Sequence, residues 1–89
     1  MNSDMIPVWN RCNDYIFTIG ELEKDESIVR DWALYAILSC ASIKTYAIYH
    51  AIVDGKNHTE PVFLNRILDD VHGDLAMLMT AQDFHKEVA

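Results

Sequence analysis

Only three glycines and two prolines punctuate these 89 residues. No glycine-rich phosphate loop can be assembled from so few, and few tight turns can be. Cysteine is equally scarce. Cys12 and Cys40 are too few for a disulfide framework, so both are expected to be small, inert core residues in a reducing compartment. No CxxC pair and no HExxH helix occurs. Residues 1–9 hold no base ahead of their apolar positions, which argues against a secretory leader and for a cytoplasmic chain. Bases are also in short supply. Seven Lys and Arg face fourteen Asp and Glu, for a formal charge of −7. Such a field disfavours direct contact with nucleic acid or an anionic membrane and favours basic partners.

What the chain has in abundance is apolar surface, about half of its composition. The stretch Trp32–Val53 is the centre of it, where only Ser39, Ser42, Lys44, Thr45 and His50 break an apolar or aromatic run. Asp25, Glu26 and Ser27 supply an acidic first turn, and Gly55 stands where a left-handed C-terminal residue is expected. The pattern predicts one helix over residues 27–54, roughly 40 Å long. Lys44 at mid-span and tyrosines spread along its length argue against a membrane crossing. Two faces stand out. A small one carries Ala33, Ala36, Cys40, Lys44, Ala47 and Ala51 and suits close approach of another helix. A bulky one carries Trp32, Tyr35, Ser39, Ile43, Tyr46, His50 and Val53 and is expected to pack as core with its hydroxyls satisfied.

The flanks are amphipathic. Met5, Val8, Trp9, Cys12, Tyr15, Ile16 and Ile19 trace one helical face, with Ser3 or Asp4 as cap and Gly20 as the stop. Residues 21–26 form a charged connector around Leu22. After a loop over residues 56–59, Pro61 opens a third helix with Thr59 or Glu60 as the capping candidate. Its apolar positions are Phe63, Leu64, Ile67, Leu68, Val71, Leu75, Leu78, Met79 and Phe84. Gly73 within it marks a bend, a close crossing or a tolerated weak point.

Residues 1–89 therefore read as one all-α domain, a small bundle of three main helices around a long apolar central one. Two flanking helices cannot cover an all-round apolar cylinder, so the chain is expected to dimerise. The interface candidates are Ala33, Cys40, Lys44, Tyr46, Ala47 and His50. Lys44 either snorkels along a neighbour, meets a carboxylate across the interface, or holds an anionic ligand beside Tyr46 and His50 in an inter-subunit cavity.

Catalytic chemistry finds little footing. Asp69 and His72 have the i, i+3 spacing of helical metal ligands, but no second pair faces them, so no metal or cofactor is expected. Arg66 and His72, in R-I-L-D-D-V-H, have a spacing similar to the Arg-x4-6-His element of helical HEPN ribonucleases. That resemblance covers seven residues. It implies a dimeric ribonuclease with Arg66 on phosphate and His72 as acid–base residue. The preferred expectation is a non-enzymatic inhibitor or regulator that docks on a basic protein or nucleoprotein, as phage or plasmid antagonists, anti-defence and immunity proteins and antitoxins do. Glu21, Glu23, Asp25 and Glu26 in the connector, with Asp69, Asp70 and Asp74 on the third helix, are its candidate partner-binding residues.

Overall fold

A computed structural model describes residues 3–88, all helix, turn and short connection with no strand among them. A 3-10 turn at Ser3–Met5 leads into α1 (Ile6–Leu22), followed by a single-turn α2 (Glu26–Val29), α3 (Trp32–Val53) and α4 (Pro61–Val88). The fold is all-α and elongated, 46 × 17 × 16 Å.

Several helix ends differ from expectation, each for a local reason. Ser3 and Asp4 belong to the 3-10 turn, and the cap position of α1 falls to Met5, whose side chain makes no capping bond. Helix α1 does not stop at Gly20 but runs on to Leu22, because burying Leu22 rewards the extra residues. Residues 27–54 are not one helix. Asp25 caps α2 by accepting from the Ser27 amide at 2.9 Å, and Asp31 caps α3 by accepting from the amides of Ala33 and Leu34 at 2.9 and 3.1 Å. The extended backbone of Asp31 (ψ 116°) is incompatible with a continuous helix there. At the far end of α3, Gly55 takes φ +68°. Its amide donates to the Ile52 carbonyl and that of Lys56 to the Ala51 carbonyl, closing a Schellman motif. Helix α4 continues through Gly73, where an added Cβ meets nothing within 4 Å. No close crossing requires that glycine.

The three long helices each pack on the other two. Val8 and Cys12 meet Ile48, Ile52, Leu64 and Leu68 at one end. Ile19, Leu22 and Ile28 meet Leu38, Ala41, Val71, Leu75 and Leu78 at the other. Hence α1 and α4 run parallel and α3 antiparallel to both. The Gln82 amide donates to Asp25 at 2.8 Å and ties the α2 cap to α4. Trp9 stacks on Tyr49, and its buried indole N–H has no acceptor among the described residues, the kind of omission that costs about 1–3 kcal/mol.

Helix α3 presents to the core neither of the two faces singled out from its sequence. Leu38, Ala41, Thr45, Ile48 and Ile52, spaced by three and four, form its buried line. Thr45 is the only buried polar residue described, and its hydroxyl donates to the Ala41 carbonyl at 2.8 Å. The seam admits neighbours because Ala41 and Thr45 are small at its middle. Both α1 and α4 approach from that side.

Candidate functional site

The opposite side of α3 is bare. Trp32 is 90% exposed and Ile43 68%, with Tyr35, Tyr46 and Val53 also open. The bulky face is therefore not core within the chain, contrary to expectation. Its phenols make no hydrogen bond among the described residues. Cys40 is likewise exposed and not the inert core residue expected, whereas Cys12 is buried. Burial pushes the Cys12 thiol up to about 11, a shift that the charge of neighbouring Arg11 partly opposes.

All six interface candidates, Ala33, Cys40, Lys44, Tyr46, Ala47 and His50, lie on exposed surface of α3. Lys44 makes no hydrogen bond or ion pair among the described residues. Tyr46 and His50 stack with ring centroids 6.2 Å apart, and Tyr49 meets His50 edge-on at 5.4 Å. No described groove collects Lys44, Tyr46 and His50. A shallow groove of about 450 Å³ does open beside this face, with Tyr35, Ser39, Ser42 and Ile43 on one wall and Glu23 and Val29 on the other.

The seven acidic candidates do not form one patch. Glu21 pairs with Lys24 at 3.3 Å, Glu26 with Arg30 at 2.8 Å, and Asp69 with Arg11 at 2.6 Å. Asp25 is a cap. Hydrogen bonds from Ser27 and then Gln82 hold its carboxyl below the usual carboxylate range. Glu23, Asp70 and Asp74 make no ion pair among the described residues.

The residue that sequence reasoning missed is Arg11. Its guanidinium donates to the Tyr15 hydroxyl at 2.7 Å, to the backbone carbonyl and side-chain oxygen of Asn65 at 3.1 Å each, and to Asp69. Partial burial works against its charge, and the bonds to Asp69 and Tyr15 outweigh that and raise its pKa. The network clamps α1 to α4 at the mouth of a second groove. There Tyr15 and Thr18 of α1 face His72, Ala76, Met79 and Asp83 of α4, enclosing about 460 Å³. A smaller recess of about 210 Å³ continues it toward Phe17, Glu21 and Gln82.

Among the described residues no three His, Cys, Asp or Glu converge as metal ligands. Arg66 and His72 are both exposed, and lying six positions apart they are separated by about 120° around α4. His72 lies over Tyr15 at 6.2 Å. The two are not juxtaposed within one chain.

No protein-family model matches this chain, and no curated protein or solved structure is significantly similar to it.

Proposed function

We propose that the protein is a non-catalytic, homodimeric binding module, an inhibitor or regulator that joins two copies through the outer side of α3 and meets a basic macromolecular partner with its acidic surface. The bare side of α3 carries this reading. Trp32, Tyr35, Ile43, Tyr46 and Val53 alone leave on the order of 600 Å² of largely apolar residue surface in water. That equals the largest patch usual on a soluble monomer, and the alanines and Cys40 beside it bring the total near the ~800 Å² per partner of a standard interface. The same face has no carboxylate on it, so two chains of charge −7 meet where neither repels the other most. Lys44 flanks the patch and reaches either solvent or a carboxylate of the second copy.

Light scattering on the full chain tests the dimer. A mass of two chains is expected at micromolar concentration, with Ile43→Asp shifting it to one chain while leaving the helical circular dichroism intact. Added salt should tighten self-association by screening like charges, and should weaken binding to a basic partner. A single-chain mass at all concentrations removes the dimer. Co-sedimentation of the wild-type chain with neutral phospholipid vesicles, lost in Ile43→Asp, would assign the face to lipid instead.

A further inference from the structure

We infer that the groove between α1 and α4 is the seat of the basic partner, and that what docks there is an amphipathic helix with an apolar stripe flanked by Lys or Arg. This rests on the acidic-docking reading above and adds its place and chemistry. The groove lies on the far side of the bundle from the bare face of α3, so closing a dimer leaves two such grooves free. Its surface is apolar where a side chain would insert. Phe17 is 71% exposed and Met79 about half, beside Ala76 and the edge of Leu75. Such exposure is unexplained by packing within the chain, and methionine adapts readily to an incoming apolar stripe.

The rims carry the opposite chemistry. Asp83 stands on the α4 wall and Glu21 on the α1 wall. Asp14 lies one turn before Thr18 on the same line of α1. Among the described Lys and Arg residues, Arg11 at the groove's mouth is engaged with Tyr15, Asn65 and Asp69 and Lys24 lies beyond the end on Glu21, while His72 lines the α4 wall. The net field along the walls is therefore negative. From His72 to Asp83 the floor runs about 16 Å, three helical turns, which matches anchors at i, i+4 and i+7. The described chain offers no strand edge, so a partner strand has nothing to pair with. The three-turn apolar floor with acidic rims suits a helix laid along it.

The test uses three labelled 18-residue peptides titrated into the full chain by fluorescence anisotropy: a leucine stripe with lysine flanks, the same stripe with glutamate flanks, and the lysine peptide in scrambled order. The first is expected to bind, more weakly as salt rises, and at least tenfold more weakly to Phe17→Ser, to Met79→Ser and to Asp14→Lys/Asp83→Lys. All of these changes fall on exposed surface, and circular dichroism verifies the fold. Amide exchange should slow over residues 14–21 and 72–83. Binding that ignores the groove variants overturns the location and leaves the acidic-docking reading standing. Equal binding by the scrambled peptide overturns the helix. No binding by the lysine peptide, or equal binding by its glutamate counterpart, overturns both.

Discussion

The two sides of α3 are alike in the sequence and opposite in the fold. On one, Leu38, Ala41, Thr45, Ile48 and Ile52 are buried; on the other, Trp32, Tyr35, Ile43, Tyr46 and Val53 stand in water. The exposed set is the larger in volume, and its two phenols and one indole carry more polar atoms than the single Thr45 hydroxyl of the buried set. Size and these polar tips together set the side. Two parallel helices can close on α3 only where its surface is narrow enough for both backbones to come near, and Ala41 with Thr45 provides that waist. The bulky side is excluded by its size, and the apolar area it retains is available to a partner.

The first way to break this comparison is to cut the same kind of side chain on each side. Leu38→Ala should destabilise the chain by about 2–5 kcal/mol, since it opens a cavity among Ile19, Leu22, Val71 and Leu75. Ile43→Ala should change the stability of the single chain by no more than about 0.5 kcal/mol. Urea unfolding at low protein concentration measures both. Comparable losses would mean that the outer side is packed after all.

Thiol chemistry sharpens the same contrast. Cys40 on the outer side should react with a maleimide at least a hundredfold faster than Cys12, which is buried and pushed up to about 11. Mass spectrometry of the singly labelled product identifies the site. Protection of Cys40 as protein concentration rises would place a self-association seam beside it, and unchanged reactivity would exclude Cys40 from any such seam.

The Arg11 clamp is next in size. Arg11→Met keeps the aliphatic stem and removes the bonds to Tyr15, Asn65 and Asp69. The expected loss is about 1–2 kcal/mol, more than an ordinary surface ion pair because the guanidinium is partly buried and multiply bonded. If Asp69→Asn alone gives the whole loss, the ion pair dominates; if it gives little, the bonds to Asn65 and Tyr15 do.

How much of this was legible depends on where polar residues mark a phase. In α1 and α4 they do, and Val8, Cys12 and Ile19, with Leu64, Leu68, Val71, Leu75 and Leu78, fall on the faces that the spacing indicates. In α3 the marking is weak, because Ser39, Ser42, Lys44 and His50 lie off the buried line but are scattered around the rest of the circumference. Apolar residues surround the axis, so pattern reasoning found a small face and a bulky face and passed over the line that is buried. Thr45 lies on that line, and its smallness was the available hint. The break before α3 was also readable, because Asp31 stands ahead of Trp32 as Asp25 stands ahead of Glu26. Two caps six residues apart mean two helices. Arg11 was not readable at all, since Asn65 and Asp69 lie more than fifty residues away and only tertiary packing brings them to it. The acidic rim of the groove was half visible for the same reason. Glu21 was found on charge alone, whereas Asp14 and Asp83 acquire significance only when α1 and α4 lie side by side.

The smallest expected effect concerns the join between α2 and α4, the thinnest part of the core that shares Ile28 with α3. Asp25 accepts from Ser27 and from Gln82, and these bonds depress its folded pKa. A depressed carboxylate contributes stability that is fully present above its unfolded value near 4 and is lost as pH falls through the lower folded value. The midpoint of thermal unfolding should therefore fall below about pH 4 in part through Asp25. Asn caps a helix about as well as Asp, so Asp25→Asn should leave the midpoint at pH 7 within a few degrees of wild type and should flatten the acid limb. An unchanged acid limb in Asp25→Asn would mean that the cap and the Gln82 tie contribute nothing through charge.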